Sequence, residues 1–351
     1  MVDSRELKRI ARVVLEQALG LQPDERVLIV GNPEEASRLI CDAYFEATRE
    51  LSGKPLLVRQ PAKGITDFSD PAVLAAIASE PDILLSISTD KIGKDPHGLH
   101  IGYVGRNGQK YTHIFDRVTD GDKRSRAGTS PGIKLDTFLR AMDVDYAAIR
   151  SSAAALKASI QGCSKMRIET PAGTDLTVGL RGRQIFVDDG DLRKPGAHGN
   201  LPCGEIFFSP ELGTAQGRIV FDGLIAMGTE CLLPTEPLVM EVKNGYVTHI
   251  LPSAHSDAVE AMLAKSSKQA LAMGKEDYAR NARGIGEVGL GLNPDAEMIP
   301  DMLEAEKVSG TCHVAIGSNY DRDLQALTHY DMLMLRPRIT VDGRPLKGYT
   351  Q

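Results

Sequence analysis

Six side chains in the second half of this 351-residue sequence bring carboxylate, imidazole and phenol into glycine-rich, apolar surroundings. Glu205 sits in "NLPCGEIFFSPELG", directly before an apolar triplet. Glu287 sits in "RGIGEVGLGLNPDAE", flanked by Gly286, Val288, Gly289 and Leu290. His313 and Tyr320 stand seven residues apart in "GTCHVAIGSNYDRD". His329 and Asp331 alternate in "LTHYDMLM", so an extended strand would place both on one face, with Thr328, Tyr330 and Met332 on the other. Each motif alone fits a turn carboxylate or a half-buried histidine. Together they pose a charge problem. The apolar residues after Glu205 and Glu287 imply buried backbone, and an unpaired buried carboxylate costs several kcal/mol. No Lys lies within these motifs, and their two arginines, Arg283 and Arg322, are not adjacent to Glu205 or Glu287, so a divalent cation is the expected counter-charge. Carboxylate oxygen and imidazole nitrogen suit zinc, cobalt or manganese. The set exceeds the needs of one tetrahedral zinc and suffices for two ions sharing a carboxylate, an arrangement of many hydrolases. Such a centre would also explain why one strand face carries His329 beside Asp331.

The elements that must position these groups read as two domains, 1–145 and 146–351. In the first, "SRELKRIARVVLEQALGL" carries Leu7, Ile10, Val14 and Ala18 at helical spacing. The runs "ERVLIVG", "PLLVRQ" and "DILLSIST" are short apolar strands. Amphipathic helices in "PEEASRLICDAYFEATREL" and "DPAVLAAIASE" separate them. That alternation implies an open parallel α/β sheet built by crossovers. The turn "VGNPEE" lacks the glycine spacing that admits a pyrophosphate, and no Walker sequence is present, so a packing domain is expected there. From Met166 the texture becomes β-rich, an α+β domain of short strands with hairpin signals at "KNGY" and "VDGR" and one long helix in "SDAVEAMLAKSSKQALAMG". This domain carries all six groups and is the expected metal-binding, catalytic part.

A net charge of −6 and a pI near 5.8 offer no electrostatic footprint for nucleic acid. The basic run "DKRSR", 122–126, reads as a solvated loop. The first residues lack an apolar core with a cleavage site, and no apolar run is long enough to span a bilayer, so no membrane association and a cytoplasmic location are expected. Five scattered cysteines without a CxxC pair argue for reduced thiols. Cys203 and Cys312 neighbour the motifs and read as packing residues, because no histidine-paired thiolate context accompanies them. His97 and His100 have ligand-like spacing but no supporting carboxylates, which suggests a surface loop. His198, seven residues before Glu205, could line a site or cap a turn.

The motifs together resemble the leucyl aminopeptidase family that includes aminopeptidase T and the aminopeptidase S type. That family has a Gly-Glu before an apolar strand, a second Gly-Glu-apolar motif, His and Tyr seven apart, and a closing His-x-Asp. These positions fall here on Glu205, Glu287, His313, Tyr320, His329 and Asp331, in order, within residues 200–335. The resemblance implies a two-metal aminopeptidase acting on small peptides, working as a homodimer, with all six as metal ligands and Glu205, Glu287 and Tyr320 in catalysis. Glu287 is the expected shared carboxylate. The chain departs from the aminopeptidases in its length and in an abbreviated segment, "DRDLQALT", between Tyr320 and His329. It is also similar, around "GIGEVGLGLNP", to 2,5-dihydroxypyridine 5,6-dioxygenase, an iron(II) ring-cleaving enzyme. That enzyme has His where Glu287 stands and lacks counterparts of Glu205 and His313. Retention of both favours the hydrolase. An amidase on another small molecule, or a metal-binding relative without catalysis, would carry the same residues.

Overall fold

The computed structural model describes residues 3–64, 66–89, 91–228 and 230–349. Contacts divide the chain into two units, Met1–Arg150 with Asp188–Cys203, and Ser151–Val187 with Gly204–Gln351. The expected single cut at 145/146 therefore takes another form. The chain leaves the first unit within the helix Tyr146–Ile160 and later returns to it for one short excursion.

The first unit holds the parallel sheet. The three expected strands are β1 (Arg26–Gly31), β2 (Lys54–Arg59) and β3 (Ile83–Ile87). A small antiparallel ribbon pairs β4 (Tyr103–Val104) with β5 (Lys110–Tyr111). Two further strands join the main sheet, β6 (Arg126–Thr129) and, from the returning excursion, β10 (His198–Asn200). The order is β10-β6-β3-β1-β2, with every pairing parallel. Neither "RAGT" nor "HGN" carries the β-branched alternation that would reveal a strand. Leu7, Ile10, Val14 and Ala18 are all buried, as their spacing implies. The run 122–126 is not a solvated loop. Arg126 is buried, and its guanidinium donates to the Glu25 carboxylate at 2.6 Å and to the Leu19 carbonyl at 2.6 Å. With 5% of its side chain exposed, Arg126 keeps little water for its charge and needs these partners.

The second unit contains two seven-stranded sheets. One consists of β7 (Lys165–Glu169), β8 (Asp175–Gly179), β12 (Gln216–Phe221), β15 (Leu238–Lys243), β16 (Tyr246–Ile250), β20 (Arg338–Val341) and β21 (Arg344–Pro345). Asn244-Gly245 and Asp342-Gly343 form its tight hairpins, all four at positive φ as such turns require. The other sheet consists of β9 (Phe186–Asp188), β11 (Glu205–Phe208), β13 (Ile225–Met227), β14 (Glu230–Leu232), β17 (Ile285–Gly291), β18 (Cys312–Gly317) and β19 (His329–Met334). Its order is β14-β13-β19-β18-β17-β11-β9. One hydrophobic core joins both sheets. It takes Ile168, Val178, Ile219, Met240 and Ile339 from the first, and Ile206, Phe208, Val288, Leu290, Val314, Ile316, Met332 and Met334 from the second. The helix Ser256–Ala272 adds Val259 and Leu263. Among the described residues, no helix is long and apolar enough to cross a membrane.

Candidate metal centre

Side chains alternate along a strand, so burying one face of the second sheet commits the other face to different chemistry. With Ile206 and Phe208 inward, Glu205 and Phe207 share the opposite face. The same alternation gives Glu287, Gly289 and Gly291 on β17, His313, Ala315 and Gly317 on β18, and His329, Asp331 and Leu333 on β19. Register aligns these residues into rows. Asp331 pairs with Ala315, which pairs with Glu287. His313 pairs with Gly289, which pairs with Phe207. The large polar groups are thus interleaved with glycine and alanine. Gly289 is needed for space: a β-carbon there would lie 2.0 Å from His313 Nε2.

Five of the six expected groups meet directly. His313 Nε2 lies 3.0 Å from Glu287 Oε1 and 3.6 Å from Glu205 Oε2. His329 Nε2 lies 3.2 Å from Glu287 Oε2 and 3.3 Å from Asp331 Oδ1. Glu287 therefore offers one oxygen to each histidine. Two groups of three result, Glu205–Glu287–His313 and Glu287–His329–Asp331, each with its ligand atoms within 4.8 Å of one another. The first is deep, with the His313 side chain 1% exposed. The second opens outward, with His329 at 23% and Asp331 at 16%.

The donors fit a metal. Glu205 Oε2 and Asp331 Oδ1 are buried without a hydrogen-bond partner, as lone pairs awaiting a cation would be. His329 Nδ1 donates to the Ser318 carbonyl at 2.8 Å, which leaves Nε2 as the ligand atom and fixes the ring. Without a cation the cluster shares protons instead. Burial works against charge on His313, but its hydrogen bond to Glu287 and the charge of Glu205 prevail and raise it to about 9. His329 is also raised, by Asp331 and Glu287 against the same burial. Burial would lift Asp331, yet His329 and His313 bring it down to about 2. Glu287 is lowered by its two histidines despite burial.

Tyr320 reaches the cluster from the loop after β18 rather than from a strand. Its ring centroid lies 4.8 Å from that of Phe207, 5.9 Å from Phe186 and 5.5 Å from His329. Phe186 and Phe207 stack at 5.2 Å. Burial of the phenol, reinforced by Glu287 and Asp331, pushes its pKa well up, so it stays a protonated hydrogen-bond donor beside these charges. The abbreviated loop is pinned: Arg183 donates to Asp323 at 2.7 Å, and Asn319 to the same carboxylate at 2.5 Å.

One participant lies outside the motifs. Lys307 is fully buried, with Nζ 2.5 Å from Glu205 Oε1 and 2.8 Å from Glu306 Oε1. The expectation that no protein cation meets these carboxylates is corrected for Glu205. "EAEKVSG" reads as an ordinary charged turn, and only the fold carries it inward. Burial, partly offset by Lys307, raises Glu306 to about 8. Other residues weighed from sequence stand apart from both groups of three. His97 and His100 lie on the short helix Pro96–His100. His198 lies on β10, its Nδ1 3.6 Å from Asp120. Cys312 points into the apolar core, where burial pushes its thiol up.

The profile of the NicX family, described as 2,5-dihydroxypyridine 5,6-dioxygenase, matches residues 137–348. The chain belongs to the NicX family. All six residues and Lys307 fall within the matched span of this NicX-family chain. No curated protein matches it significantly. Among solved structures, the 2,5-dihydroxypyridine dioxygenase of Pseudomonas putida KT2440 aligns with a TM-score of 0.72 at 17% identity, covering 100% of this chain and 98% of the other. Wild-type AmpT from Thermus thermophilus aligns with a TM-score of 0.62 at 18% identity, covering 96% and 95%. At those identities the likeness is one of fold. Family and neighbours point to an enzyme, and the candidate groups to one that binds metal.

Proposed function

We propose that this chain is a metal-dependent amide hydrolase of the aminopeptidase type, removing the N-terminal residue from small peptides. The observation that carries this reading is the Glu287 carboxylate, whose two oxygens face His313 and His329 and so belong to both groups of three. Each group has one imidazole and two carboxylates, a hard donor set suited to zinc, cobalt or manganese. Two divalent ions held there by Glu205, Glu287, His313, His329 and Asp331 would lower the pKa of a water towards neutrality and polarise a carbonyl. Tyr320, protonated and half-exposed, is placed to donate a hydrogen bond to the carbonyl oxygen as it gains charge. Asp331, on the open side, is suited to meet a free α-amine. Phe186 and Phe207 offer a wall for the substrate's first side chain. Assembly as a homodimer is part of the proposal, since the aminopeptidase resemblance implies it.

A second reading has support of its own. Membership of the NicX family, and the likeness of fold to a dihydroxypyridine dioxygenase, favour ring cleavage with iron(II). Against it stands the number of carboxylates, since Glu205, Glu287 and Asp331 all accompany the two histidines where a facial two-His-one-carboxylate site needs one. The deciding experiment strips metal anaerobically and adds back zinc, cobalt, manganese or iron(II) separately. Amine release from unblocked dipeptides and leucine anilide, absent for N-acetylated substrates and lost in Glu205→Ala, is the result expected. No release with any metal, together with oxygen uptake on dihydroxypyridines with iron(II), would replace the hydrolase by the oxygenase.

A further inference from the structure

Lys307 enters the centre from the segment that follows the short helix Met302–Ala305. Its path is built into the sheet. The Lys307 carbonyl accepts from Asn293 N at 2.8 Å, and the segment presses on Gly291, where a β-carbon would lie 2.1 Å from the Val308 carbonyl oxygen. The glycine that shares a strand face with Glu287 thus makes room for this backbone. The side chain is completely enclosed and ends on Glu205 Oε1 and Glu306 Oε1. A buried ammonium needs carboxylate partners, and here one of them belongs to the deep group of three.

We propose that Lys307 is a resident cation that ranks the two ion sites. It makes Glu287–His329–Asp331 the first and tighter site and Glu205–Glu287–His313 the second and weaker one. The proposal rests on reading the cluster as a metal centre. An ion on Glu205 Oε2 shares one carboxylate with the ammonium on Oε1, and two cations so close repel. The open group uses Glu287, His329 and Asp331 and makes no call on Glu205. It is also the side that solvent reaches. A dinuclear centre ranked in this way keeps one ion resident and exchanges the other.

The test titrates the metal-free protein with cobalt(II) alone, followed by calorimetry and visible absorption, without substrate. Two binding steps separated by roughly 100-fold are expected. Lys307→Met should tighten the second step at least about tenfold and the first by much less, since Lys307 touches Glu205 and reaches Asp331 only through its field. His329→Ala should remove the tight step, and His313→Ala should keep it. Should Lys307→Met fail to fold, Lys307→Gln carries the same expectation, and an unchanged second step in a folded variant overturns the role of Lys307. Two equal steps in the unaltered protein, or loss of the tight step in His313→Ala, overturns the ranking while leaving the metal centre intact. Absence of any cobalt binding overturns the metal-centre reading and the ranking with it.

Discussion

The imidazole of His313 lies over Gly289, its Nε2 where a side chain on that residue would begin. The two are register partners on adjacent strands, and the absent β-carbon is what lets the ring reach Glu287. Gly289→Ala should therefore displace His313 rather than merely crowd it. We expect metal affinity at the deep site to fall at least about tenfold, the scale seen when a ligand loses its positioning. Overpacking should also cost about 1–3 kcal/mol. Metal content after dialysis and thermal melting check both; unchanged metal content would mean that His313 does not need this seat.

Protons on the metal-free protein's cluster titrate in a defined direction. His313 is raised from an ordinary 6.5 to about 9, and buried Glu306 from 4.5 to about 8. Both hold protons in the folded state that the unfolded chain has already lost. Their stabilisation is complete at low pH and disappears as pH rises through about 8 to 9. The melting temperature of the metal-free protein should fall from pH 6.5 to 9.5. Metal must displace the proton on His313, so its affinity should rise over the same interval, with proton release visible as a buffer-dependent calorimetric heat. An affinity independent of pH would exclude the histidines as ligands.

How much of this centre was legible beforehand follows from what each part depends on. Glu205, Glu287, His313, His329 and Asp331 sit in short apolar strands, and their strand-face alternation is a local property. Their convergence needs only adjacent antiparallel strands. Lys307 was not legible, because its role depends on where a turn after a four-residue helix lies against Gly291. Arg126 was misread for a related reason. A charge run looks solvated until a parallel strand carries it into a sheet. β10 is three residues long, contains a glycine and returns from a distant part of the chain, so no local pattern could reveal it.

Tyr320 separates a ligand from a donor. Its phenol is protonated beside four carboxylates, and its ring packs on Phe207. Tyr320→Phe keeps the packing and removes only the hydroxyl. If the hydroxyl stabilises charge on the substrate oxygen, kcat should fall about 100-fold with KM and metal content nearly unchanged. Loss of bound metal in the same variant would make Tyr320 a ligand instead.

Arg126 tests the parallel sheet of the first unit. Its guanidinium is 5% exposed and holds Glu25 together with the carbonyls of Leu19 and Gly20. Arg126→Met preserves bulk but leaves these acceptors facing an apolar chain. A loss of about 3 kcal/mol is expected, at the low end for a broken buried pair because Glu25 keeps some solvent contact. Urea unfolding measures it, and a change under 1 kcal/mol would contradict the burial assigned to this residue.

Glu287 and Glu205 differ in what they hold, and the difference can be counted. Glu287 serves both groups of three, one oxygen to each, whereas Glu205 serves only the deep one. Amide replacements keep their shapes and remove one charge. Glu205→Gln should retain a single ion on Glu287, His329 and Asp331. Glu287→Gln should lose more, because its amide nitrogen must face His313 or His329 and cannot accept from either. Metal content after equilibration with cobalt(II) should therefore run from two ions per chain in the unaltered protein, through one in Glu205→Gln, to less than one in Glu287→Gln. If the two variants lose the same number of ions, Glu287 is not shared. The centre would then consist of one metal and a charged cluster beside it.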